Sequence, residues 1–311
     1  MSKRSSEREQ LQLFRALPAG GMAPRDAQDL MAYPFFSLAK SRRVVPIRFE
    51  AGGILLTVEG VPEHGIATIW DADVLIWAAS QIVQARDDGI RPSRLMAATP
   101  YEILRFAQRG TGQTDYRMLK AALDRLQSTT VATSIRQPAG KRLHRFSWIN
   151  EWKEHLRADG RSDGIELILA DWFFSGVMDN ALVLTLDPAY FRLSGGIERW
   201  LYRLVRKHGG KQQAGWRFDL RHLYVKSASL QRYSDFALQL RRLVHRQSLP
   251  GYWLAIERAG GTEWLRFRSW PRSASATDLS TAHGEDSVEK LWPDSGNRPH
   301  GSRVIARKGL G

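Results

Sequence analysis

Twice along the chain, three helical patterns in succession give way to two alternating strands around a turn, and that repeated order constrains the fold more than any other feature. In the first block Val74, Leu75, Ala78, Ile82 and Ala85 recur at helical spacing after Asp71, an N-cap residue type, until Asp87-Asp88-Gly89 stops them. A short second helix opens at Thr99-Pro100, with proline in its first turn, runs through Ile103, Leu104 and Ala107, and ends at Gly110. A third begins near Thr114 and places Leu119, Ala122, Leu123 and Leu126 on one face. Val131 to Arg136 and Leu143 to Trp148 then read as a hairpin around QPAGK, whose Pro and Gly suit a turn.

The second block follows the same order. Ile197, Trp200, Leu201, Leu204, Val205 and His208 form an amphipathic helix ended by Gly209-Gly210. A short helix spans Asp219 to Val225. A third, with Ser229 as N-cap, turns Tyr233, Phe236, Ala237, Leu240, Leu243 and Val244 inward until Pro250-Gly251. YWLAIE and EWLRFRSW then alternate around Arg258 to Gly261. Three helices followed by a hairpin is the order of a winged helix, so the sequence predicts an α+β chain of two tandem winged-helix domains. VVPIRF, ILLTVEG and GIATIW add three N-terminal strands, and Ile165 to Leu169 and Leu182 to Leu186 add two between the blocks. Residues 1–42 lack periodicity and carry the breaker run PAGGMAP, which predicts a mobile N-terminal segment. The domains expected are 43–160 and 161–270, followed by a disordered Ser-, Gly- and Pro-rich tail over 271–311.

The 311 residues carry a net charge of +14, unevenly spread: residues 151–189 hold −5 and residues 190–270 hold +11. Two basic blocks around an acidic one suit a polyanion such as nucleic acid. No apolar run approaches the roughly 18 residues of a membrane span, and the N-terminus lacks a secretory h-region, so a cytoplasmic protein is expected. Zero Cys excludes disulfides, thiol catalysis and cysteine-ligated metals. No GK[ST] phosphate loop and no His-x-His pair occurs, and Asp71, Asp73, Asp87 and Asp88 read as helix cap and stop. A non-enzymatic protein without cofactor or metal is therefore expected. The competing class is a nuclease or relaxase with dispersed active-site residues.

The faces of the third helices opposite their apolar stripes are candidate DNA readers. In the first block that face holds Gln113, Thr114, Arg117, Lys120, Ala121, Asp124 and Ser128. In the second, Gln231, Ser234, Leu238, Arg241, Arg242 and His245 point outward, preceded by Lys226, Ser227, Ser229 and Arg232. Arg pairs with guanine and Gln with adenine in a major groove wide enough for a helix. Lys141, Arg142 and Arg145 on the first hairpin and Arg258 on the second suit phosphate contacts, as do His144, Arg266 and Arg268. A solvated helix face and a charge-protected edge strand show the same residue types.

GIATIWDADVLIWAASQIVQARDDG, TPYEILRFAQRGTGQTDYRMLKAALDRLQSTTVATSI, LDPAYFRLSGGIERWLYRLVRKHGG and LYVKSASLQRYSDFALQLRRLV resemble the plasmid replication initiator protein A family of proteobacteria, over roughly Val44 to Arg268. The resemblance implies a protein related to iteron-binding initiators. Such a protein binds direct repeats in double-stranded origin DNA, helps open the duplex, and recruits the host initiator and replicative helicase. It further implies that the second domain makes the main contacts, and that monomers act at repeats and homodimers in autorepression, with the strands of 44–70 near the dimer interface. A dimeric winged-helix repressor on an inverted repeat would use the same surfaces.

Overall fold

The computed structural model describes residues 7–18, 20–138, 143–158, 160, 162–209 and 215–270. Its centre is the helix Ala72–Asp87, apolar on nearly every side, which a helix tolerates only when surrounded by protein. Trp77, Ile76 and Ile82 on it are fully buried. One strand, Leu95–Ala98, and two helices, Pro100–Phe106 and Gln113–Ser128, follow. Thr99 caps the first of these reciprocally with Glu102, as Thr-Pro at its start predicts. Asp71, expected as an N-cap, makes no cap bond to its own helix: its buried carboxylate accepts the Thr68 N–H and both arms of Arg125 at 2.7 Å.

The strands assemble differently from the expected hairpins. Thr130–Thr133 and His144–Ser147 do pair, but they continue a four-stranded antiparallel sheet with Ile47–Ala51 and Ile54–Glu59. The hairpin that completes the first helical unit is the next one. Ile149–Leu156 pairs with Ser162–Leu169, which in turn pairs with Leu95–Ala98. Alternation identifies a strand without naming its partner. The boundary drawn at 160/161 therefore falls inside a paired hairpin. Gly65 to Trp70 is not a strand. Gly65 sits at φ +74° within a turn, and a single bridge joins Thr68 to Ser37.

Residues 7–42 are not a mobile segment where they are described. Phe14–Arg15 adds a parallel strand beside Leu95–Ala98, Arg25–Ala27 pairs with Val183–Thr185, and Leu30, Met31, Phe35 and Phe36 are buried. These pieces are too short to show a period, and tertiary contact holds them. The tail over 271–311 lies outside the described residues.

The second unit follows the predicted order with one strand added. Helix Gly196–Gly209 leads to strand Trp216–Asp219, helices Leu220–Ser227 and Tyr233–Arg246, and strands Tyr252–Ala259 and Thr262–Ser269. The long strands meet at Gly260 and Gly261, both at positive φ, as a two-residue hairpin turn requires. Trp216–Asp219 zips onto Thr262–Ser269. Arg232, not Ser229, occupies the N-cap of Tyr233–Arg246.

The two units share one continuous hydrophobic core. Buried ion pairs cross between them: Arg203 Nε donates to Asp26 at 2.7 Å, and Arg199 Nη1 to Asp73 at 2.8 Å. Burial pushes the Asp26 carboxyl above its ordinary value against the pull of Arg203. Arg203 and Asp26 are each 2% exposed at their side chains.

Candidate nucleic-acid interface

Helix Gln113–Ser128 is seated from three sides. Leu119, Leu123 and Leu126 face the core, and Arg125 grips Asp71. A third side lies on strand Ile149–Leu156: Lys120 Nζ is 2.7 Å from Glu154, Trp152 Nε1 donates to Asp124 at 3.2 Å, and Gln127 donates to the Asn150 carbonyl. Lys120 and Asp124 are thus engaged with the hairpin and do not join the open face. That face holds Gln113, Thr114 and Arg117, all exposed, with half-buried Ala121 beside them and half-buried Ser128 at the far end. Met118, 53% exposed in the same stretch, escaped the sequence reading because a large apolar residue normally signals core.

Helix Tyr233–Arg246 presents a cleaner stripe. Phe236, Ala237, Leu240 and Leu243 are buried, while Ser234, Leu238, Arg242 and His245 are exposed at successive turns of one face, continued by Gln231 and Arg232 before the helix. Arg241 turns aside to the hairpin, where its Nη2 lies 2.5 Å from Glu263. Arg258 converges on the other oxygen of the same carboxylate at 3.1 Å. The two guanidiniums hold the Glu263 carboxyl below its usual range.

Three predicted residues, Ser227, Lys226 and Arg145, lie elsewhere. Ser227 is 1% exposed, and its hydroxyl donates to the Tyr224 carbonyl. Lys226 points across the seam onto the rings of Tyr33 and Phe49, and burial, helped by Lys207, pushes its ammonium down to about 8. Ser229 is half-buried and accepts the Gln231 N–H at 3.3 Å. Arg145 is exposed, but on the sheet of Ile47–Glu59. Lys141 and Arg142 lie outside the described residues. Arg266 pairs with Glu257 at 2.9 Å.

The hairpin beside helix Gln113–Ser128 carries further cations, to which no sequence pattern points. Lys153 and Arg157 are 53% and 63% exposed at their side chains, paired with Glu151 at 3.0 Å and Asp163 at 2.8 Å respectively. No helix among the described residues is long and apolar enough to cross a membrane, and none of them cluster as a three-ligand metal site of His, Asp or Glu.

The family model "Replication initiator protein A" matches residues 25–254. A protein of Wigglesworthia glossinidia brevipalpis named "Putative replication protein" is 29% identical over 226 residues, covering 71% of this chain and 81% of that protein. Crystal structures of domains 2 and 3 of RctB superpose with a TM-score of 0.57 at 16% identity, covering 78% of this chain and 98% of theirs. A second structure of those domains gives 0.54 at the same identity. At that identity the likeness speaks for the fold alone.

Proposed function

The chain belongs to the replication initiator protein A family, and from that premise we propose that it binds origin DNA through two tandem winged helices. The observation that carries this reading is the exposed face of each third helix, Gln113, Thr114 and Arg117 in one and Ser234, Leu238, Arg242 and His245 in the other. Each helix is third in a helix–strand–helix–helix–hairpin unit. A helix held from behind and open on a polar face fits the major groove, and the hairpin beside it reaches the backbone. The second unit lies in the segment of charge +11, which suits it to the larger share of phosphate neutralisation. The first wing in this reading is Ile149–Leu156 with Ser162–Leu169.

In this reading the protein works in the cytoplasm by binding alone, without cofactor or bond chemistry of its own. Its substrate is a set of direct repeats, its consequence is local duplex opening, and its partners are the host initiator and replicative helicase, with a homodimer in autorepression. Footprinting the full chain on the DNA flanking its own gene tests this. Head-to-tail sites protected one by one are expected. Protection of inverted repeats alone would replace the initiator with a dimeric repressor, and nicking of supercoiled DNA with divalent metal would replace it with a nuclease.

A further inference from the structure

A groove runs beside the second reader helix, from the Arg242 and His245 end of its exposed stripe toward the Ser37–Arg43 segment of the first unit. Arg242, His245 and Arg246 line one end, a cleft of about 500 Å³. Through Ser194, Gly195, Gly196 and Gln239 it continues into a second cleft of about 260 Å³, bounded by Lys40, Trp70 and Gln231. Both units therefore build it. The first unit is fixed in place there. Arg43 donates across the seam to the Ala228 carbonyl at 2.7 Å, and a side chain at Gly196 would come within 1.9 Å of the Leu38 carbonyl oxygen.

The charge of the groove is one-sided. Lys40 is exposed, its ammonium 5.4 Å from the Trp70 ring centre, and Arg242 and Arg246 are exposed at the other end. Among the described lining residues the one carboxylate is Glu198. It is 8% exposed and already accepts the Gly195 N–H at 3.2 Å and the Ser248 hydroxyl at 2.5 Å. An anion entering the groove meets permanent cations at both ends and an acid that is already occupied.

A helix about 10–12 Å across fills a major groove of similar width, so a strand of phosphates must run along its flank. We propose that this groove is the track for one phosphodiester strand of the bound duplex, with Lys40, Arg242 and Arg246 neutralising phosphates. This rests on the DNA-binding reading above. It moves Arg242 and His245 from base reading to backbone positioning, and leaves Ser234 and Leu238 at the base edges.

The test uses the full chain and two labelled duplexes, one from the DNA flanking its gene and one of scrambled sequence, titrated between about 50 and 200 mM salt. Lys40→Gln and Arg246→Gln are each expected to lower the slope of log affinity against log salt by about 0.9, with the same fold-loss on both duplexes. An unchanged slope, or a loss confined to the flanking duplex, overturns the proposal. Arg91→Gln, at an exposed position beyond the far end of Ala72–Asp87, is expected to leave the slope unchanged. An equal fall there would also overturn it, since the effect would then be one of overall charge. Wild-type protein that binds both duplexes alike ends the sequence-specific reading and leaves the slopes to judge the groove; protein that binds neither ends both.

Discussion

His208 sits in the second unit against Trp216 and Phe218, ring centres 6.2 and 5.1 Å away, with its Nε2 buried and unbonded. Burial, then the nearby positive charges of Lys207 and Lys226 and of His222, push it down to about 4 from 6.5. The folded form therefore holds a neutral ring. Between pH 6.5 and about 4 the unfolded chain binds the extra proton, so stability falls as pH drops through that window, by at most about 3 kcal/mol. His208→Phe is expected to flatten this slope: wild type and variant differ most in their pH dependence between pH 6.5 and 5, followed by thermal unfolding. A parallel decline in both proteins would place the acid sensitivity elsewhere. Sequence periodicity placed His208 on the inner side of its helix correctly, because the apolar stripe runs through it. It misplaced Lys226 and Ser227, since nothing local says that the other half of the molecule covers the end of Leu220–Ser227.

Elements were legible in kind and largely illegible in partnership. All six helices of the two units are placed by the sequence, through the 3.6-residue pattern or breaks such as Thr99-Pro100, and the structure adds an Asp219 cap to Leu220–Ser227, its side chain accepting the Arg221 N–H. Strand pairing is set by what lies opposite, so alternation predicts the strands after Thr129 as the hairpin of the helical unit, whereas they belong to another sheet. Helix Gln113–Ser128 depends on this arrangement, because Asp71 is held at its side chain to 3% exposure and the Arg125 fork is its main counter-charge. That hydrogen bonding raises the Arg125 guanidinium above its ordinary value. Arg125→Ala leaves the carboxylate nearly dry with only the Thr68 N–H, at a cost of about 3 kcal/mol, the low end for a broken buried pair because Arg125 is one-quarter exposed. Urea unfolding checks this: the midpoint falls with the slope unchanged. Arg125→Ala with Asp71→Asn costs less than the sum of the two, since both remove one interaction.

At the scale of the molecule the sequence points to two domains, with two basic blocks set around an acidic stretch. The acidic stretch instead holds the hairpin strand Ser162–Leu169, the helix Asp171–Met178 and the strand Val183–Thr185, which closes onto the N-terminal segment. With a shared core and the Asp26–Arg203 and Asp73–Arg199 pairs buried at the seam, helices Gln113–Ser128 and Tyr233–Arg246 cannot move independently at low cost, since separating either pair strands charges away from water. A rigid pair and a tethered pair respond differently to DNA length. A tethered pair tolerates an insertion of one helical turn, about 10 base pairs, between its two contact regions because the grooves return to the same face, and it loses half-turn insertions of about 5. A rigid pair loses both, because it fixes distance as well as phase. Insertions of each length at successive positions within one protected repeat are expected to reduce affinity alike, measured by gel shift of the full chain. Recovery at the full turn would show that the seam opens on DNA, and Asp73→Asn, which removes the carboxylate shared by Arg199 and Arg109, would then be expected to strengthen that recovery.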